Sequence, residues 1–383
     1  MVNYDLVILA GGKGTRIRKQ LKGYPKPLAK FSNFYFLDYL LFFVSKFLFE
    51  NIYIIAGFKG HLIKKNYHNK RINVSNITVF VEKKLKGTAG ALKELNKKIK
   101  NDFYLTNGDS LFDINFFDFI KNRKKNQIGI MSLVKNNNYK ENKKLSSLNL
   151  NFEKKIIYSS KKSKLMNGGI YFFKKNILKL IHNKVNSLEN DLLPKLIKSG
   201  KLTGKIFNSF FLDIGTPKNF LHAKKNLKKK FTKPAIFLDR DGVLNHDRGY
   251  TYKLNDLKII KKTIKYLKNK KNYYLFIVTN QAGIAKGKYS TKAFLSFQKN
   301  LLAQLCKEKI YINDFEFCPH HPHYGDKKFK QNCNCRKPKN GMIEKLFQNW
   351  PIIREKSVFI GDKDSDKIAA IKSRLRYIDI KSI

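Results

Sequence analysis

The stretch Ile236-Phe-Leu-Asp-Arg-Asp-Gly-Val-Leu-Asn245 decides how the second half of this chain is read. Three apolar residues run straight into Asp239, and a second carboxylate, Asp241, follows two positions on. In an extended chain, side chains at i and i+2 point to the same side. The two carboxylates would therefore leave the end of a buried strand together, with Gly242 letting the chain turn. Like charges that close repel and raise each other's pKa unless a cation lies between them. The pattern predicts a Mg²⁺-dependent phosphoryl-transfer site. The plainer alternative is a strand ending in a solvated Asp-x-Asp-Gly turn.

Further motifs follow in order. Tyr274-Leu-Phe-Ile-Val-Thr-Asn-Gln281 reads as a buried strand with polar residues at its carboxyl end, where open α/β sheets bind ligands. Cys335-Arg-Lys-Pro-Lys-Asn-Gly341 comes next, and Ser357-Val-Phe-Ile-Gly-Asp-Lys-Asp-Ser-Asp366 holds a strand ending in Asp362. Cys318-Pro-His320 and Cys333-Asn-Cys335 offer three thiolates and one imidazole. Four such ligands suit tetrahedral Zn²⁺ and leave no open position, so the site is expected to be structural. His321 and His323 are competing nitrogen ligands, and Cys306, outside the cluster, is expected in the core.

This order of motifs resembles the haloacid dehalogenase superfamily of phosphatases. The resemblance implies that Asp239 is a nucleophile forming an aspartyl-phosphate. Asp241 would protonate the leaving oxygen and then activate water. Thr279 and Lys337 would orient the phosphate, and Asp239, Asp241 and Asp362 would hold Mg²⁺. With the zinc loop beside Arg336-Lys337, residues 234–383 are similar to the heptose 1,7-bisphosphate phosphatases. That likeness implies substrate contacts at Arg248, Tyr250, Asn280, Gln281, Arg336 and Lys363.

In the first half, Tyr4-Asp-Leu-Val-Ile-Leu-Ala10 reads as a buried parallel strand running into Gly11-Gly-Lys-Gly-Thr-Arg16. Glycines after a strand let backbone N–H groups approach phosphates, and Lys13 and Arg16 add charge. Pro25-Lys-Pro-Leu28 holds Lys26 in a stiff extended segment. Alternating strands and helices predict an α/β layered sheet. The Gly-rich loop (Gly11, Gly12, Lys13, Gly14, Thr15, Arg16) and Pro25–Leu28 together resemble the sugar-1-phosphate nucleotidyltransferases, a likeness covering residues 1–222. It continues through Glu82, Gly87-Thr-Ala-Gly-Ala91, Phe103-Tyr-Leu-Thr-Asn-Gly-Asp109, Asn167-Gly168-Gly-Ile-Tyr171, Leu188-Glu189-Asn-Asp-Leu-Leu-Pro194 and Leu212-Asp-Ile-Gly-Thr-Pro217.

The likeness implies a glycosyltransferase-A-like sheet, with Asp109 and Asp213 holding Mg²⁺. Arg16 and Lys13 would meet the triphosphate and Lys26 the sugar phosphate; Glu82, Gly87, Asn167, Gly168 and Glu189 would line the base and sugar side. Glu189 could equally cap the helix after it. Arg18-Lys-Gln-Leu-Lys-Gly-Tyr24 stands where many members carry Pro-Leu-Thr, as in the branch that joins mannose- or heptose-type 1-phosphates to GTP.

The formal net charge is +51, but only ten of the 79 basic residues are Arg and the Lys are spread along the chain. Nucleic-acid sites favour clustered Arg, so no specific nucleic acid is expected. No signal peptide is expected, since the first residues read as leading directly into a strand, and the most apolar run, 34–49, is too short and too charged to span a bilayer. A cytoplasmic enzyme is expected, with no oligomeric state implied. The organisation expected is two Rossmann-like α/β domains. A nucleotidyltransferase domain spans 1–223, a phosphatase domain spans 234–383, and Lys-rich 224–233 between them reads as a linker or a solvated helix end. Residues 135–164, rich in Asn, Lys and Ser, read as an exposed, mobile insertion.

The expected function is bifunctional: removal of the 7-phosphate from heptose bisphosphate, then transfer from GTP to heptose 1-phosphate. The competing readings are a mannose-1-phosphate transferase fused to a phosphatase for another substrate such as histidinol phosphate, and a basic nucleic-acid-binding protein on degenerate enzyme folds.

Overall fold

Two sheets organise the chain, and each brings its reactive loops to the carboxyl ends of its central strands. The computed structural model describes residues 4–83, 87–121, 123, 126–135, 146–182 and 185–383. The first sheet is built from β1 (Asp5–Ala10), β2 (Asn51–Ala56), β3 (Arg71–Ile72), β4 (Ser75–Val81), β5 (Phe103–Asn107), β6 (Gly129–Lys135), β7 (Leu165–Phe173) and β8 (Leu202–Phe207). Their order is β8-β6-β7-β5-β1-β2-β4-β3. β1 runs parallel to both β2 and β5, and β7 runs antiparallel between β5 and β6. Leu6, Val7 and Ile8 of β1 are fully buried, as a strand covered on both faces requires. The chain leaves β1 toward β2 and comes back at β5 on the other side. That reversal opens a crevice at the carboxyl ends of β1 and β5.

The second sheet has five parallel strands, β9 (Ala235–Leu238), β10 (Tyr274–Asn280), β11 (Asp314–Cys318), β12 (Val358–Gly361) and β13 (Arg376–Asp379), in the order β11-β10-β9-β12-β13. Leu238 pairs with Ile277 on one side and Ile360 on the other. The register therefore sets Asp239 between the ends of β10 and β12, next to Thr279 and Asp362. Both halves are α/β, as the alternation of elements predicts.

The stretch 224–233 is mostly helix rather than a linker, because one helix runs Pro217–Phe231. Ala223, Leu227 and Phe231 recur every fourth residue and are buried, while Lys224, Lys225, Lys228 and Lys229 between them face outward. Part of the stretch 135–164 forms regular structure. Ser146–Leu150 and Ile156–Ser163 pair as an antiparallel hairpin, and 136–145 lie outside the described residues.

The two halves are packed together. Asn73, between β3 and β4, is fully buried; its N–H donates to Asp314 Oδ1 at 2.9 Å and its side-chain amide to the Ile312 carbonyl at 2.7 Å. Arg71 donates to the Phe315 carbonyl at 2.9 Å and lies 4.1 Å from the centre of the Phe315 ring. Phe42 meets Trp350 at 4.5 Å between ring centres. No described helix is long and apolar enough to cross a membrane.

Candidate active sites

At the end of β9, Asp239 is buried, and Lys337 Nζ lies 2.8 Å from its Oδ1. The same ammonium is 2.7 Å from Asp366 Oδ1 and donates to the Val278 carbonyl at 2.9 Å. Burial acts to lower the pKa of Lys337, but the carboxylates of Asp239 and Asp366 outweigh it and hold the group above its ordinary value. Burial raises Asp239, Lys337 works against that, and the charge of Asp366 adds to it.

Asp239, Asp362 and Asp366 each offer an oxygen to one cluster, all within 4.8 Å of one another. Burial, with Asp239 and Asp366 beside it and Lys363 in opposition, pushes Asp362 up to about 6. Its Oδ1 is shielded from solvent and has no hydrogen-bond partner among the described residues. Gly242 leaves room for this carboxylate: at φ +88° it sits where a Cβ would come within 2.3 Å of Asp362 Oδ2. Three converging carboxylates with an orphaned buried oxygen have the donor set of a hard divalent cation such as Mg²⁺.

Asp241 is not in that cluster, contrary to the reading of the Asp-x-Asp pair. β9 ends at Leu238, so the two-residue alternation does not carry through Asp241. Its charge is met instead by Arg240, whose Nε and Nη2 donate to the two oxygens at 3.0 and 2.7 Å. Asn245 Nδ2 and Gln281 Nε2 add bonds at 2.9 and 3.0 Å. Arg240 has no solvent exposure and also donates to the Thr251 carbonyl.

Two expected substrate contacts are occupied in support. Gln281 also donates to Thr279 Oγ1 at 2.9 Å and accepts from the Tyr289 hydroxyl at 2.5 Å. Asn280 spends both ends of its amide on the Lys337 backbone, at 3.0 Å each. Asn280 is half-buried at the end of β10, and Gln281, just past it, is buried. Arg248 and Tyr250 belong to the exposed stretch 246–250. Lys363 ties that stretch to the end of β12 through Asp247 at 3.1 Å.

Cys318, at the end of β11, joins His320, Cys333 and Cys335 in a second cluster within 4.8 Å. Cys335 Sγ is 3.2 Å from His320 Nδ1, 3.2 Å from Cys318 Sγ and 3.1 Å from Cys333 Sγ. Ligand atoms around tetrahedral Zn²⁺ lie about 3.3–3.8 Å apart, given bonds of about 2.0–2.3 Å. The set fits zinc, and His321 and His323 are outside it. The loop it closes carries Arg336, which donates to the His320 carbonyl at 3.4 Å, and then Lys337. Cys306 packs in the core, where burial pushes its thiol up to about 12.

The first sheet's crevice is a cavity of about 330 Å³ lined in part by Gly11, Gly12, Lys26, Glu82, Gly87, Thr88, Asn107, Asp109 and Glu189. Lys26 Nζ lies 2.8 Å from Asp109 Oδ2. Asp213 pairs in register with Ser110, next to Asp109. Burial raises its carboxyl; the Gly215 N–H opposes that at 2.7 Å, the charge of Asp109 adds to it, and the Asn219 amide opposes at 2.6 Å. A Cβ on Gly215 would lie 3.5 Å from Arg16 Nη2 and 3.9 Å from Lys26 Nζ, so both cations stand beside the Asp213 turn.

Glu189 does not cap its helix. Ser187 does, accepting from Asn190 N–H, while Glu189 takes the Thr88 hydroxyl at 2.9 Å. Gly87, at φ +76°, packs where a Cβ would be 2.3 Å from the Asn186 carbonyl. Lys13 and Thr15 are exposed and do not line the cavity, and Gly14, buried at φ +66°, turns the loop. Asn167 donates to the Tyr171 hydroxyl at 2.5 Å, and Gly168 packs on Phe112 and Ser132.

Contributors not singled out from sequence include Asp366, Arg240, Asn245, Thr88 and Asn107, all inside motifs quoted above. Polar side chains at strand ends would have pointed to Asn107 and Arg240, whereas Thr88 and Asp366 lie in the helices Gly87–Lys93 and Asp364–Lys372.

Fold and sites together define an enzyme of phosphoryl-group chemistry, with two separate centres on one chain. Residues 6–230 match the Nucleotidyl transferase family and residues 223–380 match the Polynucleotide kinase 3 phosphatase family. The chain belongs to the nucleotidyl transferase family over its first part and to the haloacid-dehalogenase-like phosphatases over its second.

Among its relatives is D-glycero-beta-D-manno-heptose-1,7-bisphosphate 7-phosphatase of Haemophilus influenzae, 38% identical over 144 residues, 37% of this chain and 78% of that protein. D-glycero-alpha-D-manno-heptose 1-phosphate guanylyltransferase of Campylobacter jejuni is 30% identical over 217 residues, 56% of this chain and 96% of that one. The crystal structure of HddC from Yersinia pseudotuberculosis complexed with GMP-PN matches with a TM-score of 0.51 and 26% identity. It covers 58% of this chain and 99% of that one.

Proposed function

We propose that this chain performs two consecutive steps of nucleotide-activated heptose formation. The C-terminal half removes the 7-phosphate of D-glycero-D-manno-heptose 1,7-bisphosphate. The N-terminal half joins the resulting heptose 1-phosphate to GTP, giving GDP-heptose, a surface-polysaccharide precursor, and pyrophosphate. One observation carries the pairing: the compound that the phosphatase relatives are named for becomes, on losing its 7-phosphate, the kind of compound that the transferase relative is named for.

In the phosphatase half, Asp239 attacks the phosphorus and becomes an acyl phosphate as the C7–O oxygen leaves. Asp241 gives that oxygen its proton and later takes one from the water that hydrolyses the intermediate. Lys337 and Thr279 hold the phosphoryl oxygens, and Arg240, Asn245 and Gln281 fix Asp241. Mg²⁺ at Asp239, Asp362 and Asp366 would offset the charge of the incoming phosphate. Cys318, His320, Cys333 and Cys335 would hold a structural zinc that keeps the Arg336-Lys337 loop in place, and Arg336 suits the second phosphate. In the transferase half, the sugar phosphate oxygen attacks the α-phosphorus and pyrophosphate leaves. Lys26 and Arg16 neutralise the approaching anions, and Mg²⁺ at Asp109 and Asp213 would do the same at the α-phosphate. Both reactions belong in the cytoplasm, where GTP is supplied.

The named relatives differ in anomer, beta for the phosphatase and alpha for the transferase. Hydrolysis at C7 breaks no bond at C1, so the anomer passes unchanged from one step to the next. The phosphatase half of this chain therefore takes the alpha bisphosphate. Purified protein with Mg²⁺ and each anomer tests this by inorganic phosphate release. Faster release from the alpha compound is expected. Release from the beta compound alone would break the link between the steps, and release from neither would remove the phosphatase assignment.

A further inference from the structure

A cleft of about 670 Å³ runs between the two halves, away from both sites. Lys233, Tyr273, Tyr274, Leu275 and Asn313 on its wall stand at the amino ends of β9, β10 and β11. Asp239 and Lys337 act at the opposite ends of those strands. The first half contributes Phe42, Phe43, Lys46, Asp113, Lys230 and Phe231. The volume is that of a small-molecule site, for which about 300–1,000 Å³ is usual.

Lysine accounts for 69 of 383 residues in the chain but eight of the twenty that line the cleft, twice its overall share. Only two are paired there: Lys230 with Asp113 at 2.7 Å and Lys268 with Glu308 at 3.1 Å. Lys46, Lys233, Lys270, Lys271, Lys307 and Lys309 form no ion pair among the described residues. Lys46 Nζ instead lies 5.1 and 5.2 Å from the ring centres of Phe43 and Phe47.

Four helical segments end at this face: 36–47, 217–231, 261–268 and 291–307. Each helix end carries about half a negative charge. Eight ammonium groups thus meet two carboxylates and about two further units of helix-end charge, which leaves about four positive charges unmatched. Half-buried cations without counter-charge are costly, and the cost is recovered where an anion fills the space. Lys46 and Lys233 both sit below their ordinary pKa, chiefly through burial, with neighbouring lysine charge adding to it against Asp113.

We infer that this cleft binds a small polyphosphate compound carrying about four negative charges, with Tyr273 and Tyr311 as flat walls for any ring it bears. The inference is independent of which reactions the two catalytic centres perform. Because both halves supply cations, the bound anion bridges them at a distance from either centre, as an effector would.

The test is titration of inorganic tripolyphosphate into the full chain carrying Asp109→Ala and Asp239→Asn, without added Mg²⁺, by calorimetry. Saturable binding is expected. Adding Lys46→Met and Lys233→Met should weaken it at least ten-fold. Adding Lys224→Met and Lys225→Met, which remove the same charge from the exposed face of helix 217–231, should change it less than two-fold. If the Lys46/Lys233 pair fails to fold, Lys307→Met with Lys309→Met, both exposed, takes its place with the same expectation. No saturable binding, or equal weakening by the Lys224/Lys225 pair, overturns the site. Unchanged affinity in the cleft variants also overturns it.

Discussion

Arg240 grips the carboxylate of its own neighbour, Asp241, through Nε at 3.0 Å and Nη2 at 2.7 Å, from a position with no solvent exposure. A guanidinium thus does for Asp241 what a divalent cation would do for the cluster of Asp239, Asp362 and Asp366. It separates the two carboxylates of the Asp-x-Asp pair, one in the cluster that could hold a metal ion and one held apart from it. Removing one partner of a buried pair strands the other charge, at about 3–5 kcal/mol. Arg240→Met should lower the stability of the second half by that order, read from urea unfolding, and reduce phosphatase turnover sharply. Arg240→Lys keeps the charge but loses the fork, and should fall between. Wild-type stability in Arg240→Met would show that the pair is dispensable.

Lys337 bridges Asp239 and Asp366. Lys337→Met should cost phosphatase turnover about 10²–10³-fold, the usual loss for one electrostatic group at a phosphoryl centre. Asp366→Asn should weaken the Mg²⁺ requirement curve about 10–100-fold, because it completes the carboxylate cluster. GTP-dependent pyrophosphate release should be unchanged in both. An unaltered Mg²⁺ dependence in Asp366→Asn would remove that residue from the metal site.

The cysteine cluster should hold about one zinc per chain in a closed four-ligand set. Cys335→Ser should lose it, as measured by metal release against a chromogenic chelator. Since Arg336 and Lys337 follow Cys335 directly, phosphatase activity should fall with the zinc. Full phosphatase activity in a zinc-free variant would separate the loop from the site.

Asp314 gives a pH signature of the joint between the halves. Burial holds its carboxyl above the ordinary 3.8, against the opposing charge of Arg71 and the hydrogen bonds of Phe315, Asn73 and Trp350. The folded state therefore binds this proton more tightly than the unfolded chain. Its contribution to stability is full below 3.8 and is lost as pH rises through the folded value. Asp314→Asn cannot titrate, so the variant should gain on the wild type between about pH 4 and pH 7. Paired urea titrations at the two pH values measure this. A pH-independent difference would mean that Asp314 titrates as an exposed carboxylate.

Much of this was readable from the chain because both sheets announce themselves as apolar runs ending in polar residues. β9 ends before Asp239 and β12 before Asp362, and the cysteine spacing predicted the cluster that Cys318, His320, Cys333 and Cys335 form. What was hidden depends on where side chains turn after the strand has ended. The i, i+2 rule put Asp241 beside Asp239, but the strand stops at Leu238, before either residue, so it does not apply. Asn280 and Gln281 lie at a strand end like Thr279, but their hydrogen bonds to the Lys337 backbone and to Asp241 and Thr279 come from the fold and could not be read from the strand pattern. The Lys-rich joint read equally as a linker or a helix end because its charge masks three apolar residues at helical spacing. The interdomain cleft joins residues from distant segments, and no local motif encodes it.

The central claim is two centres in series on one chain, and a crossed assay tests it most directly. Heptose 1,7-bisphosphate and GTP are given together to wild type, Asp239→Asn and Asp109→Ala, with phosphate and GDP-heptose read in the same tube. Wild type should yield both products. Asp239→Asn should yield neither from the bisphosphate but GDP-heptose once heptose 1-phosphate is supplied, and Asp109→Ala should yield phosphate alone. GDP-heptose from the bisphosphate in Asp239→Asn, or loss of phosphate release in Asp109→Ala, would contradict it.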